Sequence, residues 1–284
     1  MVVLSYFNRF LIFYFYGVID MANQSGISIK ADYKDLLPGV KHKIAVASGK
    51  GGVGKSTIAA NLAISLAKKG YKVGLLDTDI LGPSIAHMFG SDQKDVKVEN
   101  EKMIPVEKYG VKFLSMGNLV PAGKATMWRG PMIHSAVQQM ISEAVWGELD
   151  FFILDLPPGT GDIQLTIVQS LSLTGSIVVS TPQEVSLIDV KKCVDMFRQI
   201  KVPISGIVEN MSYFVCDSCD KKHYLFGDGG AKKYAESENI ALLAQLPMNK
   251  SIMQNAEIGT PYALSENDKV FVELSDRFIE NISK

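Results

Sequence analysis

An α/β fold built on a mostly parallel, doubly wound sheet is predicted by three observations. Short apolar runs alternate with amphipathic segments from residue 43 onward. The runs are apolar throughout rather than every second residue, as expected of strands buried on both faces. Glycines and Pro203 punctuate the junctions. Buried strands are predicted over residues 43–48 (KIAVAS), 72–77 (KVGLLD), 151–155 (FFILD), 175–180 (GSIVVS) and 204–209 (ISGIVE). Helices are predicted over residues 56–69, 131–145, 162–171 and 185–200. A last helix over residues 268–282 sets Val270, Phe271, Leu274, Phe278 and Ile279 at helical spacing. Its polar face carries Glu273, Asp276 and Glu280 rather than a run of lysines, so packing on the core is expected, not membrane targeting. The chain has no internal repeat or low-complexity linker. Its 284 residues suit one large α/β unit, which we place at residues 41–284.

Hydrophobic residues make up 47% and charged residues 21% of the chain, a globular rather than a disordered composition. The formal net charge of -1 gives no electrostatic case for a nucleic-acid partner. Three cysteines do not make a disulfide framework, so a reducing, cytoplasmic setting is expected. Residues 1–40 read as an N-terminal extension. The first twenty are aromatic and aliphatic but interrupted by Arg9, which fits a membrane span poorly, and they lack a small-residue cleavage site. Met21 opens a polar stretch typical of a cytosolic N-terminus. The expectation is an over-long start or a disordered extension, with a membrane anchor as the alternative; otherwise no membrane partner is expected.

After the first strand the chain reads Ser48-Gly49-Lys50-Gly51-Gly52-Val53-Gly54-Lys55-Ser56-Thr57 and enters a helix. Gly49-x-x-x-x-Gly54-Lys55-Ser56 fits the P-loop pattern with a strand before it and a helix after it. Glycines let backbone N–H groups turn toward phosphate oxygens, and the helix N-terminus adds partial positive charge. Gly49, Lys50, Gly51, Gly52, Val53, Gly54, Lys55, Ser56 and Thr57 are therefore expected to hold Mg-ATP. Lys55 is expected on the β- and γ-phosphates, and the Ser56 hydroxyl on Mg2+.

The additional lysine at position 50 makes the loop Gly-Lys-Gly-Gly-Val-Gly-Lys-Ser. That sequence resembles the deviant Walker A motif shared by MinD, ParA partition ATPases, the nitrogenase iron protein and the Mrp/ApbC proteins. The resemblance implies an ATP-dependent homodimer in which Lys50 reaches the partner's nucleotide, making Lys50, with Lys55, part of the catalytic set.

Carboxylates complete the site. Asp77 and Asp79 close the second strand, where open α/β sheets bind ligands, and alternate so that only one faces the phosphates. By resemblance to the family's first switch segment, Asp79 positions or activates the attacking water, leaving Asp77 a structural or metal-water role. Four apolar residues closing on Asp155 form a Walker B pattern that puts this carboxylate beside Mg2+, through water. In the following Pro-Pro-Gly-Thr-Gly-Asp run, Gly159 is expected to offer an N–H near the γ-phosphate and Asp162 to cap the next helix. The family resemblance assigns Asn210, at the end of residues 204–209, to the adenine ring; the alternative is a turn-forming Asn.

Cys216-Asp217-Ser218-Cys219 follows. By itself a Cys-x-x-Cys pair reads as half a zinc site, a redox pair or iron–sulfur ligands. Four-coordinate metal needs more thiolates than this segment supplies: Cys193 lies far away in sequence and His223 is a candidate third ligand. A symmetric dimer would supply two from each chain.

The combined motifs (the deviant loop, Asp-x-Asp-x-x-Gly-Pro-Ser, Asp-x-Pro-Pro-Gly-Thr-Gly-Asp, Thr-Pro-Gln-Glu at Thr181 to Glu184, Glu-Asn-Met, and Cys-x-x-Cys with Phe-Gly-x-Gly-Gly after it) resemble the Mrp/ApbC iron–sulfur carrier ATPases from about residue 43 to 264. The resemblance implies slow ATP hydrolysis, a [4Fe-4S] cluster bridging a homodimer on Cys216 and Cys219, and transfer to apo iron–sulfur proteins, with a cluster-assembly scaffold as a further partner. Many relatives carry an extra N-terminal domain of the MIP18 type, and none is expected before Lys43. Rival readings are a MinD/ParA-like positioning ATPase on membrane or DNA and a dimeric ATPase with structural zinc.

Overall fold

The computed structural model describes residues 36–80, 82–91, 95–119 and 130–283. The apolar segment at residues 1–20 lies outside the described residues, as does most of the expected extension. Among the described residues no helix is long and apolar enough to cross a membrane.

The chain runs β1 (Val40–Ala47), α1 (Lys55–Lys68), β2 (Val73–Asp77), α2 (Ile85–Met88), β3 (Lys97–Glu99), β4 (Lys102–Ile104), β5 (Val106–Lys108) and β6 (Val111–Ser115). It continues with α3 (Met116–Leu119), α4 (Gly130–Ser142), β7 (Leu149–Asp155), α5 (Asp162–Gln169), β8 (Gly175–Ser180), α6 (Glu184–Gln199) and β9 (Ile204–Val215). The last elements are β10 (Lys222–His223), α7 (Gly230–Ser237), β11 (Leu242–Met248), α8 (Lys250–Glu257), a short 3-10 turn (Tyr262–Leu264) and α9 (Val270–Ile282).

The main sheet has the order β10-β9-β8-β1-β7-β2-β6-β5, with β11 also on β9. Strands β1, β2, β6, β7, β8, β9 and β11 run parallel, while β5 and β10 pair antiparallel with their neighbours. The five expected strands form the middle of this sheet. Strands β6 and β11 were not expected: VKFLS mixes a lysine into its run, and LLAQLPM carries Gln245 and Pro247.

The sheet is covered on both faces, as the fully apolar strands require. On one face α1, α2 and α9 pack through Ile58, Leu62, Leu66, Phe89, Phe271, Leu274 and Phe278. On the other, α4, α5, α6 and α7 contribute Val137, Met140, Ile167, Val194, Phe197 and Tyr234. Burying an aromatic or leucine of α9 is worth about 1.5–3 kcal/mol, which holds this helix on the core as its spacing predicts.

Register fixes what meets at the carboxyl ends. Asp155 on β7 stands opposite Val46 on β1 and Asp77 on β2. The loop after β1, the acidic end of β2 and the acidic end of β7 therefore open on one crevice.

Candidate functional site

The loop between β1 and α1 has the backbone that its glycines allow. Gly52 and Gly54 adopt left-handed φ values of 79° and 86°, and Gly54 leads directly into α1. A Cβ on Gly54 would stand 2.2 Å from Asn210 Nδ2, and one on Gly49 would stand 2.4 Å from the Asp189 carbonyl oxygen on α6. Both positions are closed to any side chain. Gly51 and Gly52 remain exposed, as does part of Lys50, and the Ser48 hydroxyl donates to the Lys50 carbonyl at 2.9 Å.

Lys55 is buried and its Nζ lies 2.6 Å from Asp155 Oδ1, with Ser56 Oγ at 3.2 Å. Asp155 is fully buried, and its second oxygen, Oδ2, has no hydrogen-bond partner. Burial pushes the Asp155 carboxyl up, and Lys55 opposes that shift. An orphaned buried carboxylate oxygen beside a serine hydroxyl matches the hard-oxygen donor set that a hydrated Mg2+ takes. The residues expected around Mg2+, Ser56 and Asp155, are thus brought together.

Asp77 has a structural task. Its carboxylate accepts from the backbone N–H of Asp79 (3.0 Å), Ser84 (3.1 Å) and Ile85 (3.1 Å) and from the Ser115 hydroxyl (2.8 Å). Burial and the neighbouring Asp155 push its pKa up to about 7, against the pull of those donors. Thr78 donates both its N–H (3.0 Å) and its hydroxyl (2.8 Å) to the Asp155 carbonyl. Asp79, half-buried, follows at the mouth of the crevice, and its Oδ1 accepts from the Gly82 N–H at 3.2 Å. Thr78 and Ser115 were not read as site residues; their signal, hydroxyls at the ends of parallel strands, is too common to single them out.

Two expectations for the second loop need correction. The Gly159 N–H donates to the Ser48 carbonyl at 2.9 Å, so it is engaged within the protein. Asp162 does not cap α5: Gly161 occupies the N-cap with no side-chain bond, and Asp162 is the first helical residue, where its charge still suits the helix dipole. The loop is held instead by Gln164, whose amide donates to the Pro157 carbonyl at 2.8 Å.

The strand carrying Asn210 runs on to Val215 rather than ending at residue 209. Asn210 Nδ2 donates to the Val53 carbonyl at 2.8 Å, which leaves the amide oxygen as an acceptor beside the phosphate loop.

Six residues after Asn210, the cysteines form the tip of the β9–β10 hairpin. The Cys216 N–H donates to the Lys221 carbonyl (3.0 Å) and the Asp220 N–H to the Cys216 carbonyl (2.9 Å), with Asp220 left-handed at φ 55°. The Cys216 thiol is held below its usual pKa by backbone N–H groups of Ser218 and Cys219 and by the Cys219 thiol. The pair is therefore close and accessible, with Cys216 predisposed to thiolate. Cys193 is separate: it is buried in α6 and its thiol is pushed up to about 12 by burial. His223 is exposed on β10 opposite Phe214, and no cluster of three or more metal-ligating side chains occurs among the described residues.

The chain is similar to known proteins. A family model described as NUBPL iron-transfer P-loop NTPase, of the ParA group, matches residues 39–283. An iron-sulfur cluster carrier protein of Deinococcus radiodurans is 49% identical over 89% of this chain and 72% of its own length. A mitochondrial iron-sulfur protein of Arabidopsis thaliana, required for NADH dehydrogenase, is 45% identical over 87% of this chain and 80% of its own. Among solved structures, a nucleotide-binding protein of Archaeoglobus fulgidus in complex with ADP superposes with a TM-score of 0.70 at 40% identity, covering 78% of this chain and 88% of that one. The MinD ATPase of Pyrococcus furiosus, at 21% identity and a TM-score of 0.62, shares the fold. With its phosphate loop, paired carboxylates and cysteine hairpin on one parallel sheet, the chain belongs to the iron-transfer P-loop NTPase family.

Proposed function

We propose that this protein is an ATP-dependent carrier that assembles a [4Fe-4S] cluster and transfers it to apo iron–sulfur proteins, accepting its cargo from a cluster-assembly scaffold. The observation that carries the reading is the placement of two neighbouring, accessible cysteines, Cys216 thiolate-prone, at the tip of the strand whose Asn210 touches the phosphate loop. The names of the relatives support it.

The loop residues 49–57 bind ATP through backbone N–H groups, and Lys55 exchanges Asp155 for the β- and γ-phosphates. Ser56, through its hydroxyl, and Asp155, through water, are the residues that would hold Mg2+. The metal supplies charge neutralisation on the phosphates. Asp79 orients water for in-line attack on the γ-phosphorus and takes up its proton as the bond to the bridging oxygen breaks, yielding ADP and phosphate. Asn210 accepts from the adenine amino group with its free amide oxygen. A slow turnover suits a switch.

The active form is a homodimer. One chain offers two thiolates where a cubane needs four, and the half-exposed Lys50 is free of the burial that would hold it within its own chain. Exposed apolar side chains occur on the elements that follow: Val185 (69%) and Ile188 (57%) on α6, whose Asp189 abuts Gly49, and Leu225 (61%), six residues after Cys219 in sequence. Such side chains are what a subunit interface covers. The free thiols suit a reducing, cytoplasmic setting.

Anaerobic reconstitution tests the reading. The parent should take up iron and sulfide at four of each per dimer, with little zinc, and Cys216→Ser/Cys219→Ser should take up neither. A stable cubane in the double variant, or stoichiometric zinc in anaerobically purified parent, overturns it.

A further inference from the structure

Strand β9 contains an irregularity that the nucleotide and cysteine sites do not individually require. Across β11, Gln245 stands opposite Glu209 and Pro247 opposite Tyr213, so a two-residue step on β11 is matched by a four-residue step on β9. Three residues, Asn210 to Ser212, thus stand against one, Leu246, and form a bulge, and Met211 in it adopts a left-handed φ of 56°. A long side chain in that region is costly, and such backbone persists only where its surroundings enforce it.

What enforces it is Glu209, which is fully buried. Its Oε1 accepts from the Ser212 hydroxyl at 2.6 Å and from the Gln245 amide at 2.8 Å, and its Oε2 accepts from the Ala231 N–H at 2.8 Å. These partners belong to the bulge, to β11 and to the start of α7. Beyond the bulge β9 pairs with β11 again at Tyr213 and Phe214 before running out into the cysteine hairpin, and α7 follows the hairpin, so one carboxylate holds the chain on both sides of it, at Ser212 and at Ala231. The next residue, Asn210, holds the Val53 carbonyl of the phosphate loop, an approach that the missing side chain of Gly54 leaves room for.

We propose that Glu209 is a positioning residue that couples the two sites: it makes the Asn210–Ser212 bulge a rigid pivot, so that nucleotide binding at the phosphate loop re-aims the Cys216–Cys219 hairpin. The inference rests on the reading of residues 49–57 as the nucleotide site and adds the route by which its occupancy reaches the thiols. Because such coupling is reciprocal, metal held on the cysteines changes nucleotide affinity by the same factor.

The test uses full-length, cluster-free protein. Alkylation of Cys216 and Cys219 by iodoacetamide is followed by peptide mass spectrometry with and without saturating Mg-ADP. In the parent, Mg-ADP should change the rates by about fivefold or more. Glu209→Ala should abolish the difference, whereas Glu209→Gln should keep it, because the Gln245 amide can turn and the Ser212 hydroxyl can rotate to meet the new group. Ser212→Ala, a smaller perturbation, should weaken the response if Glu209→Ala does not fold. Parent rates indifferent to bound Mg-ADP, or a full response in both Glu209→Ala and Ser212→Ala, overturn the coupling. Iron and sulfide uptake is scored separately. Responsive thiols in a parent that holds no cluster overturn the carrier reading alone, and a cluster-bearing parent with unresponsive thiols overturns the coupling alone.

Discussion

Lys55 and Asp155 form a buried ion pair at 2.6 Å between the first turn of α1 and the end of β7. The lysine expected on phosphate and the carboxylate expected beside the metal thus neutralise each other across the crevice. Removing one partner strands the other in a low-dielectric site, at a cost of about 3–5 kcal/mol. Lys55→Ala should therefore lose tight Mg-ATP binding in calorimetry and also melt at a lower temperature. Lys55→Ala/Asp155→Ala should recover part of the melting temperature but none of the binding.

Asp79 stands outside that pair, half-buried at the mouth of the crevice. Asp79→Ala should bind Mg-ATP as the parent does while phosphate release slows by about 10²-fold or more, the usual yield of a positioned acid–base group. A parent-like rate would remove Asp79 from the reaction.

Asn210 should separate base recognition from phosphate recognition. In Asn210→Ala, ADP affinity should fall by about tenfold, the worth of one hydrogen bond to a site that cannot rehydrate fully. Binding of inorganic tripolyphosphate should fall less, since only the bond to Val53 is lost from the loop. Equal losses for both ligands would assign Asn210 to the loop alone.

The cysteines should react in a fixed order. At neutral pH under native conditions iodoacetamide should modify Cys216 and Cys219, whereas Cys193, buried and with its thiol pushed up to about 12, stays unmodified until the protein unfolds. Early loss of the Cys193 peptide in mass spectrometry would contradict the packing of α6.

The pair Asp77 and Asp155 sets a pH dependence. Both carboxyls are raised by burial, Asp77 from 3.8 to about 7. The folded state then holds a proton that the unfolded chain has released. Stability from this source is full below the unfolded pKa and is lost as pH rises through the folded one, at no more than about 1.4 kcal/mol per unit. Denaturation of nucleotide-free protein should show the parent losing its advantage over Asp77→Asn between about pH 4 and 7. A difference that grows across that window would reverse the assignment.

The sheet was legible because strands buried on both faces leave continuous apolar runs, and β1, β2, β7, β8 and most of β9 have them. Strands β6 and β11 lie nearer the sheet margins, where Lys112, Gln245 and Pro247 are tolerated and blur the pattern. In the site, the meeting of Lys55, Ser56 and Asp155 was readable because the pattern fixes both residue type and spacing. Thr78, Ser115, Asp189 and Glu209 were not: each acts through a partner remote in sequence, such as Asp155, Asp77, Gly49 or Ala231. Asp162 misled because an acidic residue at a helix start fits the cap and the first turn equally, and the chain places Gly161 at the cap.

Asp77 holds the Asp79 N–H on one side and the Ser84 and Ile85 N–H groups on the other, so both ends of this stretch are tied to a single side chain. A tether of so few residues has little reach, and Thr78 moors its root to the strand that bears Asp155. The Asp79 backbone is therefore fixed from two sides, by Asp77 and through Thr78. One buried carboxylate thus sets where the Asp79 backbone sits above the crevice, and its loss would release both ends of this stretch at once.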